Sequence, residues 1–265
     1  MSKTGTILVC TCLLLMACAT TPMGRKQLRL FPEAEMEQMG LSAYQEMKKN
    51  TPVASDEKMV AYVRCVAKAV TGAITGEYAG RDWEINVFKD DTANAFALPG
   101  GKIGVHTGLL KVAKTQDQLA TVLGHEVAHV LSSHGNERVS TQFATQTGLQ
   151  LVALMGAAES SQDRRLLMGL LGVGAQVGIL LPYGRLQESE ADMLGLDLMA
   201  RAGFNPKESV TLWQNMSENS GKQPPQFLST HPSHESRIHD LSARTPDAMQ
   251  LYEAARRSGQ QPHCQ

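Results

Sequence analysis

The sequence predicts a mainly α-helical fold with a small mixed β-sheet, which places the chain in the α+β class. Helical spacing of apolar residues dominates both ends of the chain, whereas short alternating segments lie together between residues 83 and 106. The chain has 265 residues, of which 42% are hydrophobic and 19% are charged. A chain of this length and composition can bury a hydrophobic core as one domain or two.

Two helices are predicted before the strand group, from Pro32 to Asn50 and from Asp56 to Val70. Asp56 is a favourable N-cap for the second helix. Three short strands are expected next, from Trp83 to Phe88, from Ala93 to Leu98 and from Lys102 to His106. A Pro-Gly-Gly turn is expected between the last two strands.

Helical patterns return after the strands. Thr115 to Gln118 forms a capping box, which predicts a helix ending near Ser133. The segment from Gln142 to Leu181 is apolar and glycine-rich, and its last part, Leu166 to Leu181, is too short to span a bilayer. We interpret it as a buried helix, with a surface contact to a membrane as the alternative. Further helices are predicted over Tyr183–Arg201, after Asn205-Pro206, over Glu235–Ala243 and over Ala248–Arg257.

The charge balance excludes one class of partner. Lys and Arg number 25 against 26 Asp and Glu, the net charge is -1, and only 5% of residues are aromatic. Nucleic-acid-binding proteins carry basic clusters or aromatic stacking platforms. The sequence therefore predicts no nucleic-acid partner.

The N-terminus is predicted to be a lipoprotein signal peptide over residues 1–17. Lys3 precedes an apolar stretch from Ile7 to Ala17, and the next residue is Cys18. This arrangement resembles a bacterial lipobox, in which Cys18 carries the lipid. The alternative is an ordinary signal peptide cut near Ala17 or Ala19. Residues 18–31 are expected to be an extended tether, and residues 32–265 a single domain.

The residue after Cys18 is Ala19 rather than Asp, which in the enterobacterial sorting pattern indicates the outer membrane. We therefore expect a lipid-anchored protein on the inner leaflet of the outer membrane that faces the periplasm. Two cysteines outside the predicted signal and lipid site remain, Cys65 and Cys264. They form either one disulfide or two unpaired thiols, because the sequence does not give their separation.

The most informative segment is the H-E-x-x-H motif formed by His125, Glu126 and His129. Histidines four residues apart lie on one face of a helix, so both imidazoles can bind a single zinc ion. Glu126 lies beside them and can act as the base for a zinc-activated water. The five-residue pattern also recurs by chance, so it needs support from elsewhere in the chain.

A catalytic zinc site usually has a third protein ligand. Glu188 and Asp192 are four residues apart and share one helix face, whereas Glu190 points elsewhere on the same helix. Either Glu188 or Asp192 can therefore ligate the metal, while the other holds the N–H of a ligating histidine. A solvated acidic helix is the alternative interpretation.

Four motifs in this order resemble a family of zinc metallopeptidases that contains the type I CAAX prenyl protease, HtpX and BepA. They are Asn94–Leu110, the H-E-x-x-H helix, Glu188–Gly195, and Ser229–Pro232 followed by Arg237. The resemblance spans about residues 30–245 and implies a zincin-like (gluzincin) fold. The chain is most similar to the short lipoprotein members LoiP and YcaL, because neither the membrane helices of HtpX nor the repeat domain of BepA is expected.

The resemblance implies one zinc ion per chain, with Glu188 as the third ligand and Asp192 holding a histidine. His231 matches a histidine near the metal, and Arg237 matches an arginine beside it. Either residue is a candidate donor to the oxyanion of the reaction, and His231 is alternatively a fourth metal ligand or a plain loop histidine. Asn94, Ala95 and Phe96 are expected to form an edge strand that binds substrate by β-augmentation, or else a plain core strand.

These observations predict a zinc-dependent endopeptidase that hydrolyses misfolded or unassembled periplasmic and outer-membrane proteins. The principal alternative is a chaperone-like outer-membrane assembly factor of the same fold with little proteolysis. A third hypothesis is a structural lipoprotein with an accidental motif. The intact Glu126 favours the enzyme, because a site that only binds substrate does not need a base. The oligomeric state is not predicted.

Overall fold

The computed structural model of the protein describes residues 18–155, 183–218, 226–231 and 236–265. The predicted signal peptide and the predicted helix over Leu166–Leu181 lie outside these residues. The chain divides into two units, one formed by the N-terminal residues through Pro32 with the segment from Ser133, and the other by Glu33–Ser132 with Pro182–Gln265. The domain limits predicted from the sequence stay a prediction.

The fold is mainly helical with small sheets, as predicted. In chain order, the strands and helices are β1 (Cys18–Thr20), β2 (Lys26–Leu28), α1 (Glu33–Asn50), α2 (Glu57–Gly72), β3 (Glu84–Phe88), β4 (Ala95–Leu98), β5 (Lys102–His106), α3 (Gln116–Leu131), α4 (His134–Met155), α5 (Arg185–Arg201), α6 (Glu208–Glu218), α7 (Gln226–Thr230) and α8 (Arg237–Arg257). None of the described helices is both long enough and apolar enough to cross a bilayer.

The first unit corrects the expectation of an extended tether. Strands β1 and β2 pair as an antiparallel hairpin, and Arg25 in its loop forms a two-pronged ion pair with Glu137 of α4, with N–O distances of 2.5 and 2.7 Å. The chain beyond the hairpin is also held to α4, because Ser140 accepts a hydrogen bond from the amide of Leu30. These residues are ordered by pairing with a segment more than a hundred residues away, which local sequence patterns do not reveal.

The second unit contains a three-stranded mixed sheet with the order β3-β5-β4. Strand β5 pairs with β3 in parallel and with β4 antiparallel, so β4 lies at an edge of the sheet. The positive φ angles of Gly100 and Gly101, +80° and +71°, form the tight connection between β4 and β5. This arrangement matches the predicted small mixed sheet.

The C-terminal helices differ from the prediction. Two short helices were expected, but α8 continues through Pro246 as one helix. A proline in a helix interior removes one hydrogen bond without ending the helix where both flanking turns are anchored. Leu241 before the proline and Ala248 after it are both buried. Packing on both sides therefore outweighs the local helix-breaking tendency.

Helices α3 and α5 approach closely at two glycines. A Cβ on Gly195 would lie 2.7 Å from the backbone nitrogen of His125, and a Cβ on Gly124 would lie 2.7 Å from the carbonyl oxygen of Gly195. Only glycine allows backbones to approach to this distance. Because α3 carries the predicted histidine ligands and α5 the predicted carboxylates, this contact brings together the two halves of the candidate site.

We expect Gly195→Ala to lower the free energy of unfolding by about 1–3 kcal/mol, because the added methyl group forces α3 and α5 apart. Denaturant unfolding measures this change. Gly72→Ala is the matched control, since a Cβ there meets no atom within 4 Å. An equal loss of stability in both variants would contradict the role of the helix contact.

The two cysteines that the sequence left open are joined as a disulfide between Cys65 and Cys264. The bond links α2 to the C-terminal tail across a sequence separation of 199 residues. Gln116 at the start of α3 holds the same tail, because its side chain accepts from the amide of Cys264 and donates to the carbonyl of Pro262. The tail is therefore a fixed part of the second unit.

Cys264→Ser is expected to lower the free energy of unfolding of the oxidised protein by about 2–5 kcal/mol, because the unfolded chain regains the freedom that the crosslink removes. Unfolding curves with and without dithiothreitol test this. Reductant should bring the wild type close to the variant and leave the variant unchanged. A wild type that is insensitive to reductant in this assay would show that the bond makes no contribution.

Candidate zinc site

The candidate site lies in the second unit. Four segments of the chain each contribute at least one buried side chain to it. His125, Glu126 and His129 lie on α3, and Glu188 and Asp192 lie on α5. His231 follows α7, and Arg237 begins α8. His125, His129, Glu188 and His231 are each no more than 3% exposed. Water therefore does little to screen the charges of these side chains.

The ligand atoms of His125, His129, Glu188 and His231 converge within 4.8 Å of one another. Nε2 of His125 lies 3.1 Å from Nε2 of His129 and 3.1 Å from Nδ1 of His231. The Glu188 carboxylate lies 3.0 Å from Nδ1 of His231 and 3.4 Å from Nε2 of His129. Three ring nitrogens and a carboxylate thus point at one common position.

These separations fit a tetrahedral zinc ion. Atoms placed 2.0–2.2 Å from zinc at the corners of a tetrahedron lie about 3.3–3.6 Å apart. The measured separations are close to these values, from 3.0 Å between Oε1 of Glu188 and Nδ1 of His231 to 3.4 Å between the same oxygen and Nε2 of His129. Histidine nitrogens and a carboxylate oxygen are ligands that zinc prefers. The donor set and its spacing therefore suit this metal.

Asp192 lies behind the cluster and not within it. Its Oδ1 is 2.9 Å from Nδ1 of His125, on the side of the ring that faces away from the common position. Burial opposes ionisation of this carboxyl, but the adjacent Arg237 guanidinium and the bond to His125 lower its pKa below the ordinary value. Asp192 is thus an ionised acceptor that fixes the orientation of the His125 ring.

Arg237 occupies a different position from the one expected of an oxyanion donor. Its side chain is 1% exposed, and its nitrogens lie 2.7 Å from both the Asp192 and the Glu188 carboxylates. These ion pairs outweigh the effect of burial and raise the pKa of Arg237. Because its contacts are to protein carboxylates, the prediction that Arg237 donates to substrate is corrected to a supporting role.

Glu126 is placed as a buried acid beside the ligands. Its Oε1 makes no hydrogen bond and lies 3.2 Å from Nε2 of His231. Burial raises the pKa of this carboxyl, while the nearby histidines partly oppose the shift. A buried acceptor without a hydrogen bond next to a metal site is well placed to receive a proton from a water molecule. Glu190, which is also buried, is not in the cluster.

The edge strand β4 borders Glu126. The amide of His106 donates to the carbonyl of Asn94, so Asn94, Phe96 and Leu98 direct their backbone groups toward β5. The backbone groups of Ala95 and Ala97 therefore point away from β5, on the side where the described residues form no further strand. Burial raises the pKa of the Glu126 carboxyl, and the nearby backbone of Ala97 partly opposes this rise. Of the predicted substrate-binding residues, Ala95 and Phe96 lie in β4, and Asn94 immediately precedes it.

Aromatic rings flank the cluster, and the sequence analysis did not identify them. The Tyr183 ring stacks on His129 with centroids 3.9 Å apart, and the Phe227 ring stacks on His231 at 4.5 Å. Aromatic residues are rare in this chain, at 5%. An aromatic residue five positions before Glu188 and another four positions before His231 are therefore the sequence signal that could have identified these rings. These rings limit the orientations that the imidazoles can take.

Comparison with known proteins finds related metallopeptidases. The chain is 38% identical to "Mitochondrial metalloendopeptidase OMA1" of Schizosaccharomyces pombe over 189 residues, which cover 71% of this chain and 53% of that protein. It is 30% identical to "Metalloendopeptidase OMA1, mitochondrial" of Homo sapiens, with coverage of 87% and 45%. It is also 26% identical to "Beta-barrel assembly-enhancing protease" of Escherichia coli (strain K12), with coverage of 78% and 43%.

The chain thus spans about half the length of the relatives that it matches. The mitochondrial proteases among them overturn the predicted outer-membrane location, which was wrong. A finer resemblance to LoiP and YcaL is not supported by these relatives. Lipidation of Cys18, the first residue of β1, stays a prediction.

A family model described as "Peptidase family M48" matches residues 57–245, which include every member of the ligand cluster. The match confirms the predicted resemblance to HtpX- and BepA-type metallopeptidases and the zinc cofactor. It also agrees with the α+β fold and the zinc-compatible donor set. The chain therefore belongs to peptidase family M48.

Proposed function

We propose that the chain is a zinc-dependent endopeptidase. The observation that carries this proposal is the convergence of His125, His129, Glu188 and His231 on one position, with the carboxyl of Glu126 beside it. A site that only stored or sensed zinc would need the ligands but not the buried base. Bound zinc would supply Lewis acidity to a water molecule and to the scissile carbonyl.

Glu126 is the proposed general base. Burial raises the pKa of this carboxyl and so brings it closer to neutral pH. A group with such a pKa can accept a proton in one step and return it in the next. The proton taken from water is passed to the leaving amine when the peptide bond breaks. The carboxylate lies near the backbone of Ala97 in β4, the strand along which the substrate would lie.

His231 lies beside both a proposed zinc ligand, Glu188, and the proposed base, Glu126. Its Nδ1 is 3.0 Å from Glu188, and its Nε2 is 3.2 Å from Glu126. With zinc bound, His231 would be the fourth ligand. Its position next to Glu126 also makes it the proposed donor to the oxyanion of the reaction, because preorganised donors lower the energy of such charges.

The proposed substrates are extended segments of misfolded or unassembled proteins. The outward backbone groups of Ala95 and the outward carbonyl of Ala97 can form the ladder that an added strand requires. Native folded proteins rarely offer a free extended segment, whereas unfolded chains do. Recognition through main-chain atoms favours broad sequence specificity.

Glu126→Gln is expected to reduce casein cleavage by about 100-fold or more, because the amide cannot accept the proton. Zinc content should stay at the wild-type level, since Glu126 is outside the ligand cluster. Removal of zinc with a chelator should abolish wild-type cleavage, and added zinc should restore it. Cleavage that survives both the substitution and the chelator would refute the mechanism.

Proton release provides a second test of the ligand set. Burial opposes a charge on His125, but its hydrogen bonds to Asp192 and Glu188 outweigh this effect and raise the pKa to about 9 in the metal-free protein. Burial holds the pKa of His129 well below its ordinary value. At neutral pH only the first of these two rings therefore carries a proton that zinc must displace.

We expect zinc binding at pH 7 to release about one proton from His125, so that the apparent affinity increases as the pH rises toward about 9 and falls on acidification. Calorimetric titration in two buffers with different ionisation enthalpies measures the released proton. Asp192→Asn is the control, because loss of the carboxylate lowers the pKa of His125 and reduces the release. Binding without proton release in the wild type would contradict the assignment.

A further inference from the structure

We propose that Arg237 is a positioning residue that holds two zinc ligands, His125 and Glu188, in their binding geometry through a single guanidinium group. The proposal rests on the proposed zinc site and deepens it. It assigns a function to the largest of the nearly fully buried side chains in the described part of the protein. From the sequence, Arg237 was expected beside the metal as a candidate donor to the oxyanion.

The contacts form a continuous link between the two ligands. Nη2 of Arg237 lies 2.7 Å from Oε2 of Glu188 and 2.9 Å from Oδ1 of Asp192. The same Oδ1 accepts from Nδ1 of His125 at 2.9 Å, and Nε of Arg237 binds Oδ2 at 2.7 Å. A ligand on α3 and a ligand on α5 are therefore connected through one carboxylate and one guanidinium.

The link also selects which oxygen of Glu188 faces the common position. Oε2 receives the guanidinium, whereas Oε1 lies 3.0 Å from His231 and 3.4 Å from His129. An unrestrained carboxylate can rotate or bind a metal through both oxygens. Arg237 opposes both changes, because they would break a charge-assisted hydrogen bond between two buried groups.

A planar guanidinium is required for this geometry. Its fixed fork reaches two carboxylates at once, whereas a lysine ammonium is a compact charge on a flexible chain. The Trp213 ring stacks against the guanidinium, with Cζ 3.7 Å from the ring centre, so the plane of the group is restrained from one face. Arginine-to-lysine substitution therefore keeps the charge and removes the bridge.

The chain contains a matched comparison on the same two helices. Arg244 of α8 binds Asp197 of α5 through Nε and Nη2, at 3.2 and 2.8 Å. This pair also ties α8 to α5, but the Arg244 side chain is 33% exposed and neither residue is in the ligand cluster. The two arginines share the helix-joining role and differ in their link to the zinc ligands.

The experiment compares Arg237→Lys with Arg244→Lys. Zinc affinity is measured by competition with a chromogenic chelator, and folding is measured by thermal unfolding of the metal-free proteins. We expect Arg237→Lys to weaken zinc binding by about 10–100-fold, the range seen when residues that orient metal ligands are replaced. Arg244→Lys should bind zinc like the wild type. Wild-type affinity in Arg237→Lys, or an equal loss in both variants, would overturn the proposal.

A second variant covers the case in which Arg237→Lys does not fold. Trp213→Leu keeps the guanidinium and removes the ring that restrains it, and it should weaken zinc binding relative to Arg244→Lys. Unchanged affinity in a folded Trp213→Leu protein would count against the proposal. Zinc affinity is measured without substrate, so wild-type protein that binds zinc and cleaves no casein would refute the proposed function alone.

Discussion

The site depends on the contact between the backbones of α3 and α5. No side chain separates Gly124 from Gly195, so the helices lie close enough for imidazoles on one and a carboxylate on the other to share a position. The ligands would be in the same order along the sequence without this contact, but their side chains would not meet. Much of the second unit, including the disulfide-bonded tail, holds these two helices in register.

Burial gives the site its chemical character and also its energetic cost. Several ionisable groups lie in a volume that water scarcely reaches, and each is stable there because another group opposes its charge. Asp192 remains ionised because of Arg237, and Glu188 remains ionised because of the histidines and the same arginine. Glu126 lacks such compensation on one oxygen. This difference separates the carboxyls that hold the site together from the one that is free to exchange a proton.

Local patterns in the sequence predicted the parts of the site that share one helix. The four-residue spacing of His125 and His129, and of Glu188 and Asp192, follows from helix geometry, and β5 has the bounds that alternation predicted. The role of Arg237 did not follow, because it depends on which side chains lie beside α8 in the folded chain. The β1–β2 hairpin was missed for the same reason, since Arg25 finds its partner in α4.

The wide spacing of the ligands along the chain has a consequence for biosynthesis. His125 and His231 are 106 residues apart, and Glu188 lies between them. A nascent polypeptide that has emerged only through α3 carries the two imidazoles but lacks the carboxylate and the guanidinium that complete the metal centre. The proposed metal centre can therefore assemble only after His231 and Arg237 have also left the ribosome.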